Sequence, residues 1–265
     1  MTPAQFDLVS DLVSRRSGIQ LQVRKGEMIE SRLVPVASRF GFASLDGLFR
    51  ELQHAPETLA AAVVEALLIK DTAFFRDASV FDHFRETILP ALLGSRQGDL
   101  RIWCAGCSTG QEPYSLAMIL EEQGLVSAGW HIDLIATDLS EDAIARAKQG
   151  LFSDYEVSRG LSAAMLNRHF VQENDAWRAN ERLRRMVQFR TFNLLDDYGW
   201  LGRLDGIFCR NVLMYFDARA KSRAVRKLTE ALAPGGCLIL GASEHIPGAK
   251  ISAGDAARVF YRQAA

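Results

Sequence analysis

The stretch RIWCAGCSTGQEPYS, Arg101–Ser115, contains an apolar run, a loop of small residues and the start of a helix. This strand–loop–helix order is typical of an α/β sheet in which ligands bind at the carboxyl ends of parallel strands. Gly106 and Gly110 permit tight turns and a close approach of a ligand to the backbone. The stretch therefore predicts a Rossmann-like sheet with a ligand site at this loop.

The same stretch carries a second signal, because Cys104 and Cys107 form the Cys-x-x-Cys pattern of thioredoxin-type redox sites. The reactive thiolate of such a site lies at a helix N-terminus. Here the helix is predicted to begin near Pro113, several residues beyond the second cysteine. We therefore expect both cysteines to be small packed residues, and a functional dithiol is the alternative.

The loop does not match a phosphate-binding fingerprint, since it lacks G-x-G-x-x-G and carries Glu112, which would repel a phosphate. An acid suits a cationic or hydroxyl-bearing ligand better. The next buried run, HIDLIATD, ends at Asp138, where a carboxylate can accept hydrogen bonds from a ribose diol. This order resembles the class I S-adenosylmethionine methyltransferases, and any other Rossmann-like enzyme is the alternative.

The whole chain excludes several classes of protein. It has 265 residues and a formal net charge of −1, so no global basic excess points to nucleic acid. It contains no secretion signal and no apolar run near the roughly 18 residues that suggest a membrane span. The four cysteines and five histidines lack metal-ligand spacing, so we expect no metal. We expect a cytoplasmic protein with reduced thiols, no nucleic-acid partner and no membrane insertion.

The predicted elements divide the chain into three parts. Residues 1–75 read as an all-helical N-terminal domain, and residues 76–98 read as a linker helix. From residue 99 to residue 265, strands alternate with helices, which predicts an α/β domain with a mostly parallel sheet. The segment from about 154 to 190 interrupts this alternation and predicts a small inserted subdomain.

Four motifs carry a specific resemblance to a known family. KDTAFFRD (70–77), STGQEPYS (108–115), FNLL (192–195) and FCRNVLMYF (208–216) resemble, in this order, the CheR chemotaxis receptor methyltransferases. The resemblance covers nearly the whole chain. It implies a protein-glutamate O-methyltransferase that uses S-adenosyl-L-methionine and releases S-adenosyl-L-homocysteine. We expect the protein to be a monomer. The implied partner is the cytoplasmic helical bundle of a chemoreceptor.

The resemblance also implies roles for single residues. The expected catalytic residues are Arg76 and Tyr215. The expected cofactor-binding residues are Thr72, Arg76, Glu112, Asp138, Asn193, Leu194, Asn211 and Val212. The basic residues expected to meet the receptor are Arg15, Arg16, Lys25, Arg32 and Arg39. For this basic set, a solvated helix face is the alternative.

Among the cofactor-binding residues, Glu112 is expected at the methionine portion and Asp138 at the ribose. Asn193 and Leu194 are expected around the adenine. A substrate carboxylate is ionised at neutral pH, so the transfer needs no general base. It needs alignment, which can lower the barrier by about 7–11 kcal/mol, and the guanidinium of Arg76 can orient a carboxylate.

Two further points qualify the resemblance. The segment VQENDAWRANE (171–181) lacks the glycine-rich loop with which some members hold a receptor's C-terminal pentapeptide. We therefore expect a pentapeptide-independent enzyme. A non-catalytic S-adenosylmethionine-binding signalling module and a methyltransferase acting on another protein are the alternative functions.

Overall fold

The computed structural model describes residues 1–246, 252–254 and 257–263. The N-terminal domain contains only helices, as predicted: α1 (Pro3–Ser17), α2 (Gly26–Arg39), α3 (Leu45–Glu51) and α4 (Glu57–Leu67). Local sequence sets their ends. The Thr2 side chain accepts a hydrogen bond from the backbone N–H of Gln5 in a capping box, and Gly18 ends α1 in the left-handed conformation. One hydrophobic core lies between these helices.

The linker follows as α5 (Ala78–His83), a π-helical turn (Phe84–Ile88) and α6 (Leu89–Ser95). The motif before α5 is not helical, because Phe75 and Asp77 have φ values of 47° and 58°. Its first phenylalanine, Phe74, is buried and packs edge-on against Phe152 and Phe170 of the inserted subdomain. Packing of this ring fixes the linker against the following domain.

The rest of the chain forms an α/β domain. Its described strands are β1 (Asp99–Ala105), β2 (His131–Asp138), β3 (Leu151–Ser153), β4 (Phe170–Glu173), β5 (Ala176–Ala179), β6 (Val187–Thr191), β7 (Leu204–Cys209), β8 (Leu232–Leu240), β9 (Ser252–Gly254) and β10 (Ala257–Tyr261). Its described helices are α7 (Gln111–Glu122), α8 (Glu141–Gln149), α9 (Asp154–Ser158), α10 (Ala163–His169), α11 (Glu181–Met186) and α12 (Ala218–Ala231).

The main sheet has the strand order β6-β2-β1-β7-β8-β10-β9. β6, β2, β1, β7 and β8 run parallel, and β10 pairs antiparallel with β8. The chain leaves β1 for β2 on one side and later returns to β7 on the other. The carboxyl end of β1 is therefore the topological switch point, where ligands bind in such sheets. The predicted Rossmann-like fold class is confirmed.

The inserted subdomain differs from its predicted bounds. It is a three-stranded antiparallel sheet, β3-β5-β4, with α9 and α10, and it spans residues 151–179 where 154–190 was predicted. Residues 187–191 form β6, which pairs with β2 in the main sheet. The subdomain strands have three or four residues each, which is too short for a clear alternating pattern.

Within the described residues, no helix is long and apolar enough to cross a membrane.

The contact between linker and subdomain gives a stability prediction at Gly160. This residue has φ +112°, and a Cβ built on it would lie 1.9 Å from the carbonyl oxygen of Phe74. We expect Gly160→Ala to lower the free energy of unfolding by about 2 kcal/mol or more, from backbone strain and steric overlap. Urea denaturation measures the change.

Gly94→Ala is the matched control, because a Cβ at this helical position meets no atom within 4 Å. There we expect a change of at most about 1 kcal/mol, in the stabilising direction. Equal unfolding midpoints for Gly160→Ala and the unmodified protein would show that the linker does not depend on this contact.

Candidate active site

A cavity opens at the carboxyl ends of β1, β2 and β7, at the switch point. Every residue predicted to be catalytic or cofactor-binding lines it: Thr72, Arg76, Glu112, Asp138, Asn193, Leu194, Asn211, Val212 and Tyr215. These residues come from the segment before α5, from the end of β2, from the loops after β6 and β7 and from the start of α7. Ser17, at the end of α1, also lines the cavity. Helix α1 therefore contributes to the cavity, although none of its residues was predicted to bind the cofactor.

The loop after β1 is folded tightly against its neighbours. The backbone N–H groups of Gly106 and Cys107 both donate to the carbonyl oxygen of Thr137, at 2.8 and 2.9 Å. A Cβ at Gly106 would lie 2.4 Å from Cγ2 of Val212, and the φ of Gly106 is +81°. Only glycine fits between β1 and the loop after β7, which explains the small-residue pattern.

Asp138 ends β2 with its carboxylate fixed in place. Oδ2 accepts a hydrogen bond from the backbone N–H of Ser108 at 2.8 Å, and Oδ1 accepts one from Ser140 at 2.9 Å. Burial raises the pKa of Asp138, while these two N–H groups lower it. An oriented carboxylate that lines the cavity has lone pairs left for a diol.

Glu112 lies in the first turn of α7 and is held by Arg210, which directly follows β7. Nη1 of Arg210 donates to Oε2 of Glu112 at 2.9 Å, and within the described residues no hydrogen bond reaches Oε1. Burial raises the pKa of Glu112, and the charge of Arg210 lowers it. The second carboxylate oxygen is thus open to a cationic ligand group.

Arg210 itself was not assigned a role from the sequence, although it stands in a quoted motif. Its side chain is 1% exposed, and besides Glu112 it binds Asp77 Oδ2 at 2.6 Å and the carbonyl oxygen of Arg76 at 2.8 Å. A signal existed, because an arginine directly after a buried strand must find partners in the interior. Arg210 therefore joins α7, β7 and the linker under the cavity.

The two predicted catalytic residues stand at the rim. The Arg76 side chain is 35% exposed, and its Nη1 donates to the carbonyl oxygen of Asp71 at 3.1 Å. Tyr215 lies in a 3-10 turn, Leu213–Tyr215, whose end is tied to the N-terminal domain. The backbone N–H of Gln20 donates to the carbonyl oxygen of Tyr215 at 2.8 Å. The geometry brings a guanidinium and a phenol to one opening.

An apolar wall closes the cavity near β6. It contains Leu139, Phe192 and Leu194, which suit the faces of an aromatic base. The side chain of Asn193 is engaged by backbone, since Nδ2 donates to the carbonyl oxygen of Arg16 at 2.6 Å. Asn193 lines the cavity as predicted, and it also ties α1 to this wall.

The structure disfavours the redox interpretation of the two thiols. Cys104 and Cys107 are buried and free, and burial raises the pKa of both well above the ordinary value. A neutral thiol is a poor nucleophile. Across the described ranges, no group of His, Cys, Asp and Glu side chains is arranged to hold a metal ion.

The predicted receptor-binding residues lie outside the cavity lining and have unequal surroundings. Arg16 forms a two-pronged ion pair with Glu57, and Arg32 donates to the carbonyl oxygen of Leu68 at 3.0 Å. Arg39 is exposed and stacks over a neighbouring ring. Arg15 is also exposed, and Lys25 is half-buried at the start of α2. Two of the five, Arg16 and Arg32, are thus held by hydrogen bonds within the helical domain.

The residues present fit S-adenosylmethionine. The open oxygen of Glu112 can accept from an ammonium group, Asp138 can accept from a ribose diol, and the wall at Phe192 can contact an adenine. Gly106, which has no side chain, also lines the cavity and lets a ligand approach the backbone there. The ammonium group, the ribose and the adenine of S-adenosylmethionine thus each have suitable partners in one continuous cavity.

Comparisons with known proteins agree with this fit. The model described as CheR methyltransferase, all-alpha domain, matches residues 4–68, and CheR methyltransferase, SAM binding domain, matches residues 70–256. Chemotaxis protein methyltransferase 1 of Pseudomonas aeruginosa is 38% identical over 248 residues, covering 91% of this chain and 90% of that protein.

Two other relatives are similar over a comparable length. Chemotaxis protein methyltransferase Cher2 of Pseudomonas putida is 36% identical over 249 residues, covering 92% of this chain and 90% of that protein. Chemotaxis protein methyltransferase of Vibrio parahaemolyticus is 35% identical over 246 residues, with 90% and 88% covered. The chain belongs to the CheR methyltransferase family, and its cofactor is S-adenosylmethionine.

Proposed function

We propose that this protein transfers a methyl group from S-adenosylmethionine to glutamate side chains of a chemoreceptor's cytoplasmic region. The observation that carries the proposal is one cavity with two carboxylates for a cationic cofactor and Arg76 at its open rim. The names of the relatives, chemotaxis protein methyltransferases, support a substrate in chemotaxis. We place the reaction in the cytoplasm and assign it to a monomer.

The proposed chemistry asks little of the protein besides positioning. The cofactor supplies a methyl group on a sulfonium, and an ionised glutamate supplies the nucleophile without a general base. Arg76 orients the incoming carboxylate, and its half-exposed position keeps the ion pair weak enough for an oxygen to react. Tyr215, at the same rim, packs near the transferring methyl. Alignment of this kind is worth about 7–11 kcal/mol of barrier.

The proposal predicts base-labile methyl groups on receptor fragments. The purified protein is incubated with S-adenosylmethionine labelled in its methyl group and with cytoplasmic receptor fragments, and the product is treated with base. A glutamyl methyl ester releases volatile methanol, whereas an N-methyl group stays on the fragment. Arg76→Ala is expected to lower turnover at least tenfold while the fold is retained.

Other outcomes of this experiment identify the alternatives. Cofactor binding in calorimetry without transfer to any fragment would support a non-catalytic signalling module. A base-stable label, or label only on a different protein, would support the other methyltransferase alternative. Near-normal turnover by Arg76→Ala would remove the orienting role of that guanidinium.

The same fragments test the C-terminal pentapeptide. We propose that this protein does not require it, because β4 and β5 are joined by a two-residue turn, Asn174–Asp175, and not by a glycine-rich loop. Fragments with and without the pentapeptide are expected to be methylated with the same KM. A large loss on removing the pentapeptide would contradict this inference.

Receptor recognition is proposed to rest on the basic residues whose side chains form no hydrogen bond or ion pair within the described part of the chain. Arg15, Lys25 and Arg39 can meet an acidic helix, whereas Arg16 and Arg32 stabilise the helical domain itself. Arg39→Glu is therefore expected to raise the KM for the receptor fragment several-fold at low salt and less at high salt. Methylation kinetics at two ionic strengths measure the effect.

Arg24→Glu is a nearby control, since Arg24 is also exposed but was not assigned to the receptor surface. An equal increase in KM for both variants would indicate that the receptor fragment responds to the overall charge of the domain and does not contact Arg39 specifically. An unchanged KM in Arg39→Glu would assign the basic residues to the solvated face.

Cofactor binding is predicted to depend on pH through Glu112. Burial raises the pKa of this carboxyl, so it loses its charge at a higher pH than an ordinary glutamate does. The ionised form binds the ammonium group, and affinity should therefore fall as pH is lowered through this raised pKa. Glu112→Gln should bind at least tenfold more weakly at neutral pH and show less of this dependence.

The measurement is titration calorimetry of S-adenosylhomocysteine across pH. Cys107→Ala is the control, because this thiol lines the same cavity but has no proposed role in binding. Its affinity and pH profile are expected to match those of the unmodified protein. The opposite pattern, with weak binding in Cys107→Ala and normal binding in Glu112→Gln, would restore a role for the thiols.

A further inference from the structure

Glu244 is a buried acid to which neither the sequence motifs nor the proposed reaction assigns a role. It follows β8, and its exposed fraction is 0%. Each carboxylate oxygen accepts two backbone hydrogen bonds. Oε1 accepts from Val212 at 2.9 Å and Met214 at 3.1 Å, and Oε2 accepts from Asn211 at 2.9 Å and Gly241 at 2.8 Å. Within the described residues it forms no ion pair with a basic side chain.

These partners explain how a charge can be buried here. An isolated carboxylate in a protein interior is strongly unfavourable, but two or three backbone N–H groups can stabilise its ionised form. Three of the four donors, Asn211, Val212 and Met214, belong to the loop that follows β7. That loop has left-handed backbone at Asn211, with φ 59°, so strand pairing does not use its N–H groups. Glu244 supplies the acceptors that this loop needs.

The same loop forms one side of the cavity. Asn211, Val212 and Tyr215 line it, and Val212 packs against the space left by Gly106. The loop therefore contacts Gly106, after β1, through the Val212 side chain, and it contacts Glu244 through its backbone N–H groups. A shift at Glu244 would move all three cavity residues together, including the predicted catalytic phenol.

We propose that Glu244 is a positioning residue for methyl transfer, which fixes the loop 210–215 through three backbone hydrogen bonds and ties it to Gly241 through a fourth. It does not touch substrate or cofactor, and it acts through Asn211, Val212 and Tyr215. The inference rests on the proposed function for its kinetic part. Its structural part, the position of the loop, is independent of which substrate receives the methyl group.

Glu244→Gln tests the proposal with little change in volume. The amide replaces one acceptor oxygen by an NH2 group, which then faces two N–H donors and displaces part of the loop. We expect kcat per bound cofactor to fall at least tenfold, since a small displacement of reacting groups carries a cost of this size. Calorimetry with S-adenosylhomocysteine gives the number of binding-competent sites, so loss of folded protein is not counted as loss of rate.

A second variant approaches the same junction from the opposite side. A Cβ at Gly241 would lie 2.9 Å from Oε2 of Glu244 and 3.0 Å from the backbone nitrogen of Asn211. Gly241→Ala is expected to reproduce the fall in kcat. Glu230→Gln is the matched control, because Glu230 is exposed on α12 and its change should leave kcat within twofold.

Amide NMR separates this inference from the proposed function. In Glu244→Gln, the amide signals of Asn211, Val212 and Met214 should shift and exchange faster with solvent, whatever the substrate. If they shift and no protein substrate is methylated even by the unmodified chain, the proposed function fails and the loop assignment stands. Unchanged amide signals, or a kcat per site within twofold of the unmodified protein, would overturn the role of Glu244.

Discussion

The buried guanidinium of Arg210 is the interaction on which the rest of the site depends. A charge with 1% exposure is tolerated only if its surroundings are fixed, and removing one partner of such a group typically costs about 3–5 kcal/mol. Its partners are Glu112 on α7, Asp77 before α5 and the carbonyl oxygen of Arg76. The linker motif therefore cannot move relative to the sheet without exposing or unpairing a charge. This constraint brings Arg76 to a cavity built mainly by another domain.

The helical domain is tied to the same cavity by backbone and not only by side chains. Gly18 accepts a hydrogen bond from the N–H of Asp217, and Gln20 donates to Tyr215, so the end of α1 pairs with the loop that carries the phenol. On the opposite rim, Glu65 of α4 accepts from the hydroxyl of Ser140 at 2.5 Å, two residues after Asp138. Contacts to both ends of the cavity make this domain part of the site's framework.

Features that depend on residues close together in the chain could be predicted from the sequence. The strand–loop–helix order around Gly106 and the acid at the end of β2, Asp138, are local signals, and the structure contains them where they were predicted. The buried charges were missed for a physical reason. Arg210 meets Glu112 across 98 residues, and Glu244 meets Asn211 across 33, so neither pairing leaves a periodic trace. The strands of the subdomain were missed because three or four residues are too few to show alternation.

The two arginines of the cavity differ in burial, and the difference bears on how a carboxylate could be a nucleophile there. Both terminal nitrogens of Arg210 donate to the protein's own carboxylates and a carbonyl group, so this side chain is committed to structure. Arg76 is 35% exposed, donates to the carbonyl oxygen of Asp71 and lies 3.7 Å from the exposed carboxylate of the same residue, a solvent-screened pair that a substrate can displace. A buried guanidinium would hold a substrate carboxylate too strongly and reduce its reactivity, whereas solvent weakens an ion pair at the rim. In the proposed reaction, this division lets one arginine assemble the site while the other orients a substrate that must still react.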